Sequence, residues 1–315
     1  MSRVLRYLAP NLITLSSMIF GLVSLWSSHN GDPSLAAWMI IYAVLTDRID
    51  GLVARALKAT SELGMQLDSF ADFLNFGVAP AYLLLVYLSS RPDLPYESGT
   101  AHTLLFVAAG AYMLCAVFRL ARYNVLSDDQ IPTKMFFGFP TTLTGGLIAI
   151  WFLLFLKYDP TSEPFGGAKL FGPHLQTPLS VWKYFPIALV VGGYLMASRL
   201  PMPKVGMTKN KAMSFFLLAM VAIGYVCAFA MHYPELCFWM PTVWSAVFLV
   251  WGQASANARA MYPPPLFPKR AVEKDLVRPQ EDLPDIVLDE SRESQPALGN
   301  AANAGNSGAT KPETD

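Results

Sequence analysis

The stretch Thr46–Ala81 reads TDRIDGLVARALKATSELGMQLDSFADFLNFGVAPA, and it contains four aspartates in two pairs. Asp47 and Asp50 are three residues apart, and Asp68 and Asp72 are four apart. On a helix, side chains with these separations lie on one face. The apolar residues that flank the two pairs continue into long apolar segments. The stretch therefore predicts two membrane helices whose short connection brings four carboxylates together at one edge of the membrane.

Long apolar segments occur along most of the chain. Of the 315 residues, 53% are apolar and 15% are charged. A membrane helix needs about 20 consecutive apolar residues. The segments that reach or approach this length are Asn11–Ser28, Leu35–Arg55, Leu67–Leu88, Thr103–Tyr123, Phe137–Lys157, Trp182–Ala197, Ala212–Met231 and Cys237–Gly252. The sequence thus predicts an all-α fold, a polytopic bundle of about eight transmembrane helices.

Lysine and arginine residues are distributed unevenly between the alternate connections of these spans. If the N-terminus is cytoplasmic, most basic residues fall on the cytoplasmic side. The far side then receives Arg91, Lys157, Lys169 and Lys183. This excess predicts that both termini and the four aspartates face the cytoplasm. The basic N-terminus precedes the first span without a small-residue cleavage site, so we expect that span to be retained.

The composition changes near residue 262, where three prolines begin a segment rich in Pro, Ala, Asn and acidic residues. We predict a transmembrane domain over 1–261 and a disordered cytoplasmic tail over 262–315. The formal net charge of zero gives no indication of nucleic-acid binding. Three cysteines and four histidines show no CxxC or HxxxH spacing, so neither a zinc site nor a disulfide framework is indicated.

Four clustered carboxylates at a membrane edge carry an energetic cost. Each ionised aspartate within a membrane helix costs at least about 2.5–3.5 kcal/mol, and repulsion between like charges adds to this. Two divalent cations such as Mg²⁺ or Mn²⁺ would balance four negative charges, and paired metal ions serve phosphoryl displacement. Gly51, Ala54 and Gly64 leave room for a ligand, although small residues also let membrane helices pack closely. Arg55 offers a guanidinium suited to phosphate oxygens.

The spacing Asp47-x2-Asp50-Gly51-x2-Ala54-Arg55-x8-Gly64-x3-Asp68-x3-Asp72 resembles the signature of the CDP-alcohol phosphotransferase family. The resemblance implies an enzyme in which Asp47, Asp50 and Asp68 bind Mg²⁺ or Mn²⁺ and Asp72 is a further ligand or the general base. It also implies that Gly51, Ala54, Arg55 and Gly64 bind CDP-diacylglycerol, in a bacterial-type inner (cytoplasmic) membrane.

Further segments resemble the integral-membrane phosphatidylserine synthases of that family. They are Leu67–Leu84, Phe118–Val125, Phe136–Leu147 and, less closely, Leu195–Pro203, while the opening Pro10–Thr14 is common in the wider family. This resemblance implies transfer of the phosphatidyl group from CDP-diacylglycerol to L-serine, which gives phosphatidylserine and CMP in phospholipid biosynthesis. Arg119 and Arg122, three residues apart, are candidates to bind the serine carboxylate, or they are anchors at the cytoplasmic edge.

Alternatives remain open at this point. The same chemistry would serve glycerol 3-phosphate, inositol phosphate or choline as the acceptor. A secondary transporter also uses intramembrane carboxylates, but these more often lie near the bilayer centre and between two related halves. The resemblance implies membrane lipid as the surroundings of the substrate, and a homodimer is left open.

Overall fold

The computed structural model of the chain describes residues 3–57, 62–125, 135–203 and 211–254. The helices in these ranges are α1 (Arg3–His29), α2 (Pro33–Leu57), α3 (Glu62–Asp72), a π-helix (Phe73–Val78), α4 (Ala79–Ser89), α5 (Gly99–Val125), α6 (Thr141–Tyr158), α7 (Leu179–Tyr184), α8 (Pro186–Ala197), α9 (Lys211–Phe229) and α10 (Pro234–Ala254). The predicted tail, 262–315, lies outside the described residues.

These helices confirm the all-α fold, because each of the eight predicted spans coincides with a helical segment. The third span consists of α3, the π-helix and α4 in continuous succession, and the sixth consists of α7 and α8. Among the described residues, six helical segments are long and apolar enough to cross a membrane. The two remaining predicted spans correspond to α2, which has 25 residues, and α9, which has 19 residues. The chain is therefore an integral membrane protein.

Successive spans run in opposite directions, so their termini gather at two ends of the bundle. We call the end that holds Asp47, Asp68 and Asp72 the aspartate end, and the other the opposite end. Between them α1 packs along α2, α2 packs on α6, and α5 packs on α8. The π-helix lies among α1, α5 and α6, and its Phe76 is fully buried. The π-helix, which follows Asp72 directly, therefore lies in the packed centre of the bundle.

A short β-ribbon at the aspartate end was not predicted from the sequence. Strands β1 (Met135–Phe137) and β2 (Pro201–Pro203) pair antiparallel, with Phe136 opposite Met202. Gly138 follows β1 with a φ of 80°, a conformation that residues with a Cβ rarely adopt. Its amide donates to the carbonyl of Leu200 at 2.9 Å. The ribbon therefore ties the start of α6 to the segment after α8.

Buried charges at the opposite end are satisfied within the chain. The Nζ of Lys157 donates to a Glu235 carboxylate oxygen at 2.9 Å, and both side chains are 1% exposed. Lys157 also donates to the carbonyls of Gly166 and Ala168, and the Tyr158 hydroxyl donates to Glu235. This network joins α6 to α10 and to the loop that connects α6 to α7.

A second ionic cluster at this end is centred on Arg91. Its guanidinium donates to Asp93 and, at 2.7 Å, to Asp159. The hydrogen bonds from Arg91 lower the pKa of the Asp93 carboxyl. Burial raises the pKa of Asp159, but hydrogen bonds from Thr161 and Arg91 outweigh burial, and the net pKa is lowered. The stabilisation from both carboxylates is therefore present above their ordinary pKa and is lost as the pH falls.

The Lys157–Glu235 pair yields a stability prediction. Lys157→Met should leave the Glu235 carboxylate buried without its cation, which typically costs about 3–5 kcal/mol. We expect a clear fall in Tm in detergent, measured by thermal unfolding, and partial recovery in the double variant Lys157→Met/Glu235→Gln. Lys183→Met, at an exposed lysine of the same end, is the control. An unchanged Tm for Lys157→Met would contradict the role assigned to the pair.

Candidate active site

Three of the four predicted aspartates converge in space. Asp47 lies on α2, and Asp68 and Asp72 lie on α3. Each offers a carboxylate oxygen, and these oxygens all lie within 4.8 Å of one another. The carboxyl groups of Asp72 and Asp47 are within hydrogen-bonding reach. The spacing of four residues on α3 thus directs both of its carboxylates toward Asp47.

The fourth aspartate, Asp50, follows Asp47 by three residues on the same helix, so its position falls on the same face. Its side chain lies outside the described residues, as do the side chains of Ala54 and Arg55. By register, Gly51 and Ala54 also lie on the Asp47 face of α2, because they follow it by four and seven residues. The positions of the predicted signature on α2 therefore form one continuous helix face.

The same argument holds for α3. Gly64 precedes Asp68 by one helical turn, so Gly64, Asp68 and Asp72 succeed one another along a single face. Gly51 on α2 and Gly64 on α3 are both partly buried. Without side chains, these glycines let a ligand approach the two backbones closely. The arrangement joins a site for hard cations to adjoining space for a larger molecule.

Arg119 faces this site from α5. Its side chain is 6% exposed, and its guanidinium is close enough to Asp72 for the two charges to interact. Its Nη1 donates to the Thr141 hydroxyl at 2.6 Å, and its Cζ lies 5.3 Å from the centroid of the Tyr123 ring. Within the described part of the chain, its Nε has no hydrogen-bond partner. A buried donor of this kind can bind an anionic ligand at little added desolvation cost.

Arg122 is held in a different way, although it is only three residues from Arg119. Its guanidinium donates to the carbonyls of Ala197, at 3.1 Å, and Ser198, at 3.0 Å, and more weakly to that of Phe137. The last carbonyls of a helix lack partners within the helix, so Arg122 caps the C-terminus of α8. These contacts favour a structural role for Arg122 and leave Arg119 as the stronger candidate for ligand binding.

Polar side chains other than the predicted site residues also contact the elements of the site. Ser69, next to Asp68, accepts a hydrogen bond from the Asn124 amide at 2.9 Å, which links α3 to α5. Thr141 begins α6 and orients Arg119. Thr141 lies in the segment Phe136–Leu147, which resembles the family. Residue spacing predicts neither its contact with Arg119 nor the contact between Ser69 and Asn124.

The donor set fits a divalent metal ion. Three carboxylates within 4.8 Å present hard oxygen ligands and repel one another, and a cation relieves that repulsion. Mg²⁺ and Mn²⁺ prefer such oxygen ligands, whereas zinc and copper sites use histidine and cysteine more often. The group is therefore able to bind a divalent metal ion.

Comparison with known proteins agrees with this geometry. Residues 7–191 match the CDP-alcohol phosphatidyltransferase family. The matched part includes both aspartate pairs and Arg119. It ends within α8, so α9 and α10 lie beyond it.

Individual relatives are proteins named CDP-diacylglycerol–serine O-phosphatidyltransferase. The one from Helicobacter pylori is 34% identical over 152 residues, which cover 48% of this chain and 60% of the relative. The one from Mycobacterium bovis is 33% identical over 238 residues, 73% of each chain. The one from Bacillus subtilis is 32% identical over 161 residues, 51% of this chain and 82% of the relative.

The chain thus spans about 60% of the length of the Helicobacter pylori protein that it matches. The family match covers more than half of the chain and contains the helices that carry the three converging aspartates. The chain belongs to the CDP-alcohol phosphatidyltransferase family.

Proposed function

We propose that this protein is a metal-dependent enzyme that transfers the phosphatidyl group of CDP-diacylglycerol to the hydroxyl of L-serine. The products would be phosphatidylserine and CMP. The convergence of Asp47, Asp68 and Asp72 on two facing helices carries the proposal. The names of the relatives support serine as the acceptor.

The metal ions would be Mg²⁺ or Mn²⁺, bound by Asp47, Asp50, Asp68 and Asp72. When bound, they would stabilise the negative charge of the pyrophosphate and of the departing CMP. The carboxylates would hold the ions from two helices at once, α2 and α3.

Asp72 is the proposed general base. Its carboxylate would accept the proton of the serine hydroxyl while the hydroxyl oxygen bonds to the phosphatidyl phosphorus. The bond between that phosphorus and the CMP oxygen would break, and CMP would leave with the bonding electron pair. Arg119 lies close enough to Asp72 for the two charges to interact.

The donor would lie along the small-residue faces of α2 and α3. Gly51, Ala54 and Gly64 would admit the cytidine and pyrophosphate close to the backbone, and Arg55 would pair with phosphate oxygens. The lipid tails would lie between helices in the bilayer, because exposing them to water is unfavourable. We propose that the aspartate end faces the cytoplasm in a bacterial-type inner membrane, on the basis of the lysine and arginine distribution. The homodimer stays a prediction.

Arg119 is the proposed contact for the serine carboxylate. Support comes from its burial, from its position against Asp72 and from its Nε, which has no hydrogen-bond partner in the described chain. Placed there, it would bring the serine hydroxyl near the base. The contacts of Arg122 with the end of α8 make it a weaker candidate.

Metal binding gives the first test of this proposal. Asp47→Asn and Asp68→Asn each replace a charged ligand with a neutral one. Loss of an outer-shell partner typically weakens metal binding by about 10–100-fold, and loss of a direct ligand should cost at least as much. Titration of the purified protein with Mn²⁺, followed by electron paramagnetic resonance, measures this change. Glu97→Gln, at an exposed carboxylate of the opposite end, should bind like the wild type, and equal binding by all variants would exclude the carboxylate site.

The base assignment is tested separately. Asp72→Asn cannot accept a proton, and general-base catalysis contributes about 10²–10⁴-fold to the rate. We expect kcat for CMP release to fall by at least that factor at saturating metal and substrates. Retention of near-normal kcat in Asp72→Asn would refute the assignment.

The acceptor is tested with CDP-diacylglycerol and a panel of alcohols. CMP release should be driven by serine and poorly by serinol, which lacks the carboxylate. Arg119→Gln removes a hydrogen bond to a charged group, worth about 1.5–3 kcal/mol, so the serine KM should rise about 10–100-fold. The KM of the donor should change far less. Activity with glycerol 3-phosphate or choline and none with serine would show that the acceptor is a different alcohol. That result would leave the proposed metal site unaffected.

A further inference from the structure

The π-helix Phe73–Val78 begins at the residue after Asp72. π-helical turns are rare in proteins, and they appear mostly as single-turn bulges at functional sites. Each such turn accommodates one more residue than an α-helical turn. Because one residue corresponds to a rotation of about 100° in an α-helix, the insertion turns the face of the preceding helix relative to the following one.

This rotation decides where the carboxylates point. After the π-helix, α4 is packed into the bundle, and its Leu83, Leu84 and Leu88 are fully buried. Before it, α3 directs Asp68 and Asp72 toward Asp47. In an uninterrupted α-helix the apolar face of α4 and the acidic face of α3 would be out of phase. The π-helix therefore lets α4 pack its apolar side chains into the bundle while α3 directs Asp68 and Asp72 toward Asp47.

Tyr112 on α5 holds this π-helix through a hydrogen bond. Its hydroxyl donates to the main-chain carbonyl of Phe76 at 2.8 Å, and both side chains are 0% exposed. A buried carbonyl without a partner is costly, so this bond favours the π-helical conformation over its rearrangement. Tyr112 is fully buried and is absent from the carboxylate cluster, so it does not itself offer a ligand atom there.

Glycines on two neighbouring helices, α6 and α1, allow these helices to pack closely against the π-helix. A Cβ on Gly145 of α6 would lie 2.7 Å from the Cβ of Phe76 and 2.9 Å from its carbonyl oxygen. A Cβ on Gly21 of α1 would lie 2.2 Å from the side-chain oxygen of Asn75, which is 1% exposed. Gly145 thus packs closely against the backbone and Cβ of Phe76, and Gly21 packs closely against the side chain of Asn75.

We propose that Tyr112 is a positioning residue of the carboxylate site. Its hydroxyl fixes the π-helix and thereby sets the orientation of Asp68 and Asp72 against Asp47. The inference rests on the proposed metal-dependent function, because it concerns the affinity of those carboxylates for a divalent ion. A purely packing role for Tyr112 would affect stability and leave metal affinity unchanged.

The direct test is Tyr112→Phe, which keeps the ring and removes only the hydroxyl. We expect the Kd for Mn²⁺, measured by electron paramagnetic resonance without substrates, to rise by up to about tenfold. This is the lower end of the loss that follows removal of a group hydrogen-bonded directly to a metal ligand, because Tyr112 acts on the ligands through the backbone. Amide hydrogen exchange over 73–78 should accelerate. Tyr158→Phe is the matched control, since it removes a buried hydroxyl that donates to Glu235 at 2.8 Å at the opposite end. It should lower Tm by a similar amount and leave the Kd for Mn²⁺ unchanged.

A second pair of variants tests the same idea with the tyrosine intact. Gly145→Ala should displace the Phe76 backbone and also weaken Mn²⁺ binding, whereas a Cβ on Gly110 of α5 meets nothing within 4 Å and Gly110→Ala should bind normally. Mn²⁺ binding by Tyr112→Phe and Gly145→Ala equal to that of the wild type would overturn the positioning role alone. Absence of Mn²⁺ binding in the wild-type protein would overturn the proposed function together with this inference.

Discussion

Repulsion among carboxylates held within 4.8 Å of one another is the interaction on which the rest of this structure depends. Water would relieve that repulsion by solvating each charge separately, but at a membrane edge the helices keep the groups together. The free energy needed to hold them comes from the packing of α2 and α3 against the remaining spans. A divalent cation would recover part of this cost on binding, and the recovered free energy would set the affinity of the site for the ion.

The two ends of the bundle treat buried charge differently. At the opposite end, Lys157 and Glu235 form an ion pair with 1% exposure, and surrounding hydroxyl and carbonyl groups complete their hydrogen bonds. At the aspartate end, carboxylates gather with one another, and the buried cation that the described residues direct toward Asp72 is Arg119. The first arrangement is self-contained and stabilises the fold. The second groups like charges, which fits the proposed enzyme, in which a metal ion, a nucleotide phosphate and a small alcohol would meet there.

Sequence reasoning predicted the eight spans because bilayer thickness sets segment length, and it predicted the aspartate pairs because helical periodicity sets their faces. It did not predict the π-helix, since that conformation depends on the phase between α3 and α4, which neighbouring helices determine. The sequence did not predict the different roles of Arg119 and Arg122 either. Both arginines lie on α5. Arg122 donates hydrogen bonds to the carbonyls of Ala197 and Ser198 at the end of α8, about 75 residues away in sequence. Non-local partners of this kind leave no local pattern.

We propose that α2 and α3 together form a binuclear metal site that engages the donor phosphates. It is tested most directly by anomalous diffraction from crystals of the protein grown with Mn²⁺ and CDP-diacylglycerol. The account predicts two Mn²⁺ ions, about 3.5–4 Å apart, with ligands from both aspartate pairs and from the pyrophosphate of the donor. Mn²⁺ bound elsewhere, or a donor bound with its pyrophosphate away from Asp47, Asp68 and Asp72, would contradict it.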